Sequence, residues 1–350
     1  MKKLVLMKIL YSLCAILLFS SVLNAQQYKK LHVLFLGNSY TYVNNLPQLI
    51  KDIALANGDT LLFDSNCPGG QTYQGHFNDV TSLSKINAQA WDCVVLQAQS
   101  QEPSFSPSQV NSQTLPYAVR LDSIIQQNNA CTETLFFETW GRKNGDASNC
   151  GSYAPVCTYL GMQDRLRASY KLFADTTYSI MSPAGEAWRK SIALNPGLEL
   201  YQSDQSHPSL EGSYLTACVF YEVLFHKSVL TNTYTAGIST GAVSFLQQIA
   251  HDVVNDSLLV WNIGKYPSCV TTGIIESQTE LFNPFVFPNP TKDILHINSE
   301  TNYKIYDVLG NLCLSDTKRN SINVEYLNSG IYFIEISSSN STKKLKFVKE

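Results

Sequence analysis

The sequence predicts an α/β domain built on a doubly wound parallel sheet of five strands, followed by a small all-β domain. Three observations lead there. Between residues 31 and 265, short apolar runs alternate with longer stretches of helical periodicity, the pattern of a parallel sheet wrapped by helices. After about residue 265 the helical period disappears, and short strand patterns separated by Asn-Pro, Gly-Asn and Ser-Gly turn signals replace it. At 350 residues the chain also exceeds the usual size of one domain, so a main core plus a smaller module is expected.

The five strand runs are His32–Leu36, Thr60–Asp64, Asp92–Gln97, Thr134–Glu138 and Tyr178–Met181. Between the first two, Leu46, Leu49, Ile50, Ile53 and Ala54 recur at helical spacing, with Gly58 placed to end that helix. Further helices are expected at Tyr117–Gln127, Met162–Phe173, Leu210–Phe225 and Ala242–Val254, which gives the βαβ order of a flavodoxin-like sheet. In the second domain the strands are Ile294–Ile297, Tyr303–Tyr306, Ile322–Val324, Ile331–Ile336 and Lys344–Val348, a small β-sandwich led in by Leu281–Phe287.

The first 25 residues differ from the rest. Lys2, Lys3 and Lys8 precede an apolar run from Ile9 to Leu23 that ends at Asn24-Ala25, as in a secretory signal peptide; about fifteen apolar residues are short for a membrane span of roughly twenty. The expected organisation is therefore a signal peptide at 1–25, the α/β domain at 26–265, a linker at 266–283 and the β domain at 284–350. With 44% hydrophobic and 15% charged residues and a net charge of −3, the chain is ordinary globular protein with no basic stretch suited to nucleic acid. Export permits disulfides, and Cys150 and Cys157, bracketing a Gly/Ser/Pro-containing loop, are the expected bridge; Cys93 and Cys218, inside apolar segments, are expected buried thiols. No CxxC pair or Cys/His cluster has metal-site spacing, so no structural zinc is expected.

Two segments carry chemistry. Ser39, in Gly37-Asn38-Ser39-Tyr40-Thr41, follows the first strand and precedes a helix, at the sheet edge where ligands bind in open α/β folds. The helix N-terminus there offers backbone N–H groups to developing negative charge. The same segment alone would also serve as a plain turn with Ser39 capping the helix. The second segment is Asp204-Gln205-Ser206-His207-Pro208: three-residue spacing lets Asp204 reach one ring nitrogen of His207 while the other faces outward, the requirement for a base that takes a serine proton.

Taken together, these residues resemble the SGNH (GDSL-like) hydrolases. That family carries a serine block after the first strand, a glycine block after the second, an Asn-containing block after the third and Asp-x-x-His-Pro before the last helix. Here the blocks are Gly37-Asn38-Ser39-Tyr40-Thr41, Pro68-Gly69-Gly70, Leu96-Gln97-Ala98-Gln99-Ser100 and Asp204-Gln205-Ser206-His207-Pro208, across roughly residues 31–225. The resemblance implies a serine esterase with Ser39 as nucleophile, His207 as base and Asp204 as its orienting acid. It also implies an oxyanion hole made of the backbone N–H of Ser39 and of Gly70, or Gly69 if the register slips by one. Two positions depart from the family: Asn38 stands where Asp is usual, and the third block offers Gln99, or next Gln97, in place of Asn. The implied substrate is a carboxylic ester, above all an acylated carbohydrate, with no cofactor; a catalytically weak or inactive glycan-binding surface protein on the same fold is the alternative. Asn38, His76 and Trp140 are candidate pocket residues; for His76 an exposed loop role is the favoured reading, and for Trp140 a core tryptophan is the equal alternative. His32 and His226 are expected to be structural or on the surface.

The tail also carries motifs: Phe287-Pro288-Asn289-Pro290-Thr291, Ile305-Tyr306-Asp307-Val308-Leu309-Gly310, Ser329-Gly330-Ile331-Tyr332-Phe333 and the basic end Lys343–Lys349. They resemble the sorting domain of the type IX secretion system of Bacteroidota; an accessory carbohydrate-binding β-sandwich is the alternative. The resemblance implies the outer-membrane secretion machinery as a partner and a secreted or cell-surface location.

Overall fold

The computed structural model describes residues 28–266, 284, 286–308, 310–337 and 342–350. The expected signal peptide and nearly all of the expected linker lie outside the described residues. The chain divides into two compact units, residues 1–270 and 271–350.

The first unit runs β1 (Lys30–Leu36), α1 (Ser39–Tyr42), α2 (Leu46–Ala56), β2 (Thr60–Asn66), α3 (Tyr73–Asn78), α4 (Val80–Ile86), β3 (Cys93–Leu96), α5 (Leu115–Asn128), β4 (Glu133–Phe137), α6 (Tyr159–Thr176), β5 (Ile180–Ser182), α7 (Ala184–Leu194), α8 (Leu210–Phe225) and α9 (Thr240–Asn255). The sheet is parallel throughout in the order β2-β1-β3-β4-β5, the flavodoxin-like order. Val33 to Leu36 and all of β3 are buried, the continuous apolar runs of strands covered on both faces. Because β1 sends the chain outward to β2 and back across to β3, the order reverses between β1 and β3. The crevice beyond their carboxyl ends is the switch point at which such sheets bind ligands.

The helix expected at Leu210–Phe225 has almost no solvent face. From Gly212 to Phe225 every residue of α8 is buried, as in a helix packed on all sides. Its first turn fits only because position 212 has no side chain: a Cβ there would lie 2.4 Å from the Leu200 carbonyl oxygen and 2.5 Å from the Trp188 ring. Three helices, α3, α4 and α7, escape the sequence reading. The first two have only six and seven residues, too short to display a period, and α7 opens on Ala-Gly-Glu-Ala, which carries little apolar signal. Tyr178, expected to begin the fifth strand, is 73% exposed with φ of 56°, so it belongs to the turn before β5. Cys150 and Cys157 are bridged, and Cys93 and Cys218 are buried free thiols.

The second unit is antiparallel: β6 (Val286–Phe287), β7 (Ile294–Tyr306), β8 (Leu312–Asn323), β9 (Gly330–Ser337) and β10 (Thr342–Lys349), ordered β10-β9-β7-β6 with β8 also paired to β7. The Ile294–Ile297 and Tyr303–Tyr306 runs prove to be two ends of one strand, joined through register shifts between His296 and Tyr303. Leu295, Ile305, Ile322, Val324, Ile334, Ile336 and Phe347 form its core. Among the described residues no helix is long and apolar enough to cross a membrane.

Candidate active site

Ser39 opens α1 directly beyond the carboxyl end of β1, and a set of buried polar side chains fixes that turn. Asn38 caps the helix: its Oδ1 accepts from Tyr40 N at 3.1 Å. Its Nδ2 donates to Gln71 O at 3.0 Å and Ala98 O at 3.3 Å, which ties the serine turn to the glycine block and to the third block. A carboxylate at position 38 would face two carbonyl oxygens with no proton to offer, so the departure to Asn has a local cause. Gln97, 0% exposed, accepts from Asn38 N at 2.9 Å and Thr41 Oγ1 at 3.0 Å, and its Nε2 donates to Ala98 O. A Cβ on Gly37 would stand 2.4 Å from Thr41 Oγ1 and 2.8 Å from Gln97 Oε1, so only glycine permits this packing.

His76 supports the same turn from below. It is fully buried, which overturns the exposed-loop reading, and it bonds Gly37 O through Nε2 at 2.9 Å and Ser82 Oγ through Nδ1 at 2.8 Å. A carbonyl only accepts, so Nε2 carries the proton. Burial drives the imidazole pKa down to about 4, against smaller upward contributions from the Gly37 bond and Asp79, so the ring is neutral; the Ser82 hydroxyl beside Nδ1 also donates to Asp79 Oδ2 at 3.0 Å and accepts from Asn66 Nδ2 at 2.9 Å.

The opposite wall is the loop before α8. Asp204 Oδ1 accepts from the backbone N–H of Ser206 at 3.1 Å and of His207 at 3.0 Å, and Oδ2 accepts from His207 Nδ1. The proton thereby sits on Nδ1, and Nε2 turns its lone pair to Ser39 Oγ at 2.9 Å. Burial pushes the Asp204 carboxyl up, but these hydrogen bonds outweigh it and hold the group below its ordinary range, ionised. The loop is anchored on both sides. Gln202 N donates to His207 O at 2.8 Å and Ser209 N to Leu200 O at 2.8 Å, while Asn44 Nδ2 donates to Pro208 O, Ser209 O and Ser213 Oγ. Tyr40 shares a 2.7 Å hydrogen bond between its hydroxyl and Ser206 Oγ and sets its ring edge-on to His207.

Trp140 is not a pocket wall. It is 1% exposed, stacked between Tyr40 at 4.7 Å and Trp188 at 3.9 Å, and its Nε1 donates to Ser206 O at 3.0 Å; it braces the His207 loop from inside. Gln97 likewise is a brace inside the protein and does not face the crevice. Gln99 is half-buried at the rim, with Oε1 accepting from Gln101 N at 2.7 Å and Glu102 N at 3.1 Å, so its amide presents the N–H edge elsewhere. Gly70 is exposed, with φ of 70° at the third position of the turn closed by Gln71 N to Pro68 O, a conformation open to glycine. His32 lies in β1 against Asp92, and His226 is the left-handed C-cap of α8. Among the described residues no group of three or more His, Cys, Asp or Glu side chains is placed to hold a metal.

Sequence reasoning missed Tyr40 and Asn44, which join the two halves of the site. Asn44 carried a signal: an Asn-Asn pair is suited to left-handed backbone, and both Asn44 and Asn45 have it, at φ of 54° and 52°.

The parallel sheet with its flanking helices is a doubly wound α/β fold. The first unit is similar to a DUF4886 family protein from Bacteroides uniformis ATCC 8492, at 19% identity and TM-score 0.57, over 66% of this chain and 95% of that one; the likeness is one of fold. A candidate SGNH hydrolase from Slackia heliotrinireducens aligns at 23% identity and TM-score 0.46, over 55% of this chain and 98% of that one. An acetyl xylan esterase aligns at 14% identity and TM-score 0.43, over 55% of this chain and 99% of that one. No curated relative matches the sequence. Residues 285–350 match the secretion system C-terminal sorting domain. That domain marks proteins exported by type IX secretion to the cell surface or the extracellular space, and this chain carries it.

Proposed function

We propose that this exported protein is a serine esterase that works through an acyl-enzyme and removes acyl groups, above all acetyl, from carbohydrate. The observation that carries the reading is the continuous hydrogen-bonded line Asp204–His207–Ser39, with 2.9 Å between His207 Nε2 and Ser39 Oγ. His207 takes the Ser39 proton as Oγ attacks the ester carbonyl, and Asp204 stabilises the imidazolium that results. The oxyanion is received by the backbone N–H of Ser39, the backbone N–H of Gly70 and the Gln99 Nε2 amide, fixed donors of the kind worth about 10²–10³ in rate each. His207 then gives its proton to the departing alcohol, and water activated by the same imidazole releases the acid.

The carbohydrate assignment rests on the resemblance and on the compartment, since the sorting domain takes the chain to the cell exterior. Two assays separate the levels of the claim. Hydrolysis of short-chain aryl acetates by the mature protein, set against Ser39→Ala and His207→Ala, tests the chemistry; equal rates in wild type and Ser39→Ala would end the esterase reading. Acetate release from a panel of acetylated polysaccharides tests the substrate class, and release from aryl acetates alone would restrict the claim to simple esters.

A further inference from the structure

The loop between β4 and α6 braces the His207 loop through Trp140, and it also contains a buried carboxylate linked to Gln99 by way of Gln101. We propose that Asp146 is a positioning residue that orients Gln99 as oxyanion donor through Gln101, and that the Cys150–Cys157 bridge holds Asp146 in place for that task. The inference rests on the esterase reading and adds to it an element outside the four sequence blocks.

The wiring has a defined polarity. Gln99 Oε1 is held by the backbone N–H groups of Gln101 and Glu102, so its Nε2 is the donating edge. One of the Nε2 protons goes to Gln101 Oε1 at 3.3 Å, and the other is the one that the esterase reading assigns to the oxyanion. Gln101 in turn donates its own Nε2 to Asp146 Oδ2 at 2.7 Å. If the Gln101 amide flipped, its oxygen would meet a carboxylate and its NH₂ would meet the NH₂ of Gln99. The charge on Asp146 therefore sets which way the Gln101 side chain points, and its oxygen holds the Nε2 end of a Gln99 amide whose Oε1 the backbone N–H groups of Gln101 and Glu102 already fix.

Asp146 is built to keep that charge. It is 0% exposed, and both oxygens are occupied: Oδ1 by Ser148 N at 3.1 Å and Arg142 Nη1 at 3.5 Å, Oδ2 by Asn149 Nδ2 at 2.6 Å as well as Gln101. Burial pushes the carboxyl up, but the bonds from Asn149 and Gln101 and the Arg142 charge prevail and keep it below its ordinary range. Its backbone is clamped too, with N donating to Val156 O at 2.7 Å and O accepting from Cys150 N at 2.9 Å. One of these partners is a bridged cysteine and the other directly precedes its mate, and the bridge closes a short loop with a sequence separation of seven. Gly145 allows the approach: a Cβ there would lie 2.5 Å from the Cys157 carbonyl carbon.

The test is a double-mutant cycle on aryl acetate hydrolysis by the full mature chain, with thermal melts alongside. Asp146→Asn, which can turn an amide proton toward Gln101 and release its orientation, should lower kcat about 10-fold with KM unchanged, a fraction of the loss for removing a donor outright. In the Gln99→Ala background the same substitution should change kcat less than about 2-fold, because the donor it orients is gone. Gln101→Met, which leaves the buried carboxylate its other partners, should repeat both results, and the Cys150→Ser, Cys157→Ser pair should do so more weakly. Equal losses in both backgrounds would show a merely structural role and overturn the proposal, as would no loss in either. If Gln99→Ala itself leaves kcat unchanged, the proposal fails while the esterase reading stands. If wild type is no faster than Ser39→Ala, the esterase reading fails and takes the proposal with it.

Discussion

The two halves of the proposed site are held by opposite means. The serine turn is interior: Asn38 is 2% exposed, and Gln97 and His76 are 0% exposed. Its position comes from side-chain amides and an imidazole bonded to backbone. The acid–base loop is exterior, with the Asp204 and His207 side chains 46% and 32% exposed, and it is held by main-chain bonds to Leu200 and Gln202, by Asn44 and by the stacked Tyr40–Trp140–Trp188 rings beneath it. The lesson is a division of labour. Buried polar groups on the serine side couple geometry to folding, because each lost partner leaves an unsatisfied group in the interior. The exposed loop can vary its reactive side chains with little consequence for the fold.

That contrast can be broken in several places. The largest effect expected is kinetic: His207→Ala should lower kcat/KM for an aryl acetate by at least about 10⁴-fold while moving stability by no more than about 0.5 kcal/mol. A large stability loss, read by urea titration, would contradict the division. His76→Ala should do the reverse in stability, costing about 3 kcal/mol by leaving Gly37 O without its donor and opening a cavity. A drop well under 1 kcal/mol would show that the serine turn does not depend on it.

The same histidine makes the serine side sensitive to acid. Its pKa is near the ordinary 6.5 in the unfolded chain and about 4 in the folded one. Between those values the unfolded state holds the extra proton, so this contribution to stability is complete above about pH 6.5 and drains away as pH falls toward 4, by up to about 3 kcal/mol. His76→Gln, which retains a donor for Gly37 O, should lose that much less between pH 7 and 4; parallel acid limbs for the two proteins would refute the assignment. The smallest effect is the most pointed. Asn38→Asp brings back the residue usual in the resembled family, yet it should destabilise this protein by about 1–3 kcal/mol, because the carboxylate faces Gln71 O and Ala98 O. Equal or higher stability would remove the reason given for the departure.

How legible each part was follows from the range of the interactions involved. The parallel sheet could be read because strands such as Val33–Leu36 and Cys93–Leu96 are covered on both faces and stand out as continuous apolar runs. The line from Ser39 to His207 could be expected because each motif brings its own local geometry to the same sheet edge. The supporting residues could not. His76 acts on Gly37, 39 positions away, and Trp140 on Ser206, 66 positions away. Nothing in the local sequence around either says whether its ring faces solvent, a pocket or the interior. Gln97 and Gln99 look alike in sequence, and two positions of register separate an interior brace from a residue on the rim.

The central claim is that Ser39 is a nucleophile activated by His207, and covalent labelling tests it most directly. The mature protein incubated with a fluorophosphonate should gain one phosphonyl group, mapped by peptide mass spectrometry to the peptide containing Ser39. His207→Ala should label at least about 100-fold more slowly, having lost its general base. Absence of labelling, labelling at another serine, or an unchanged rate in His207→Ala would contradict the account.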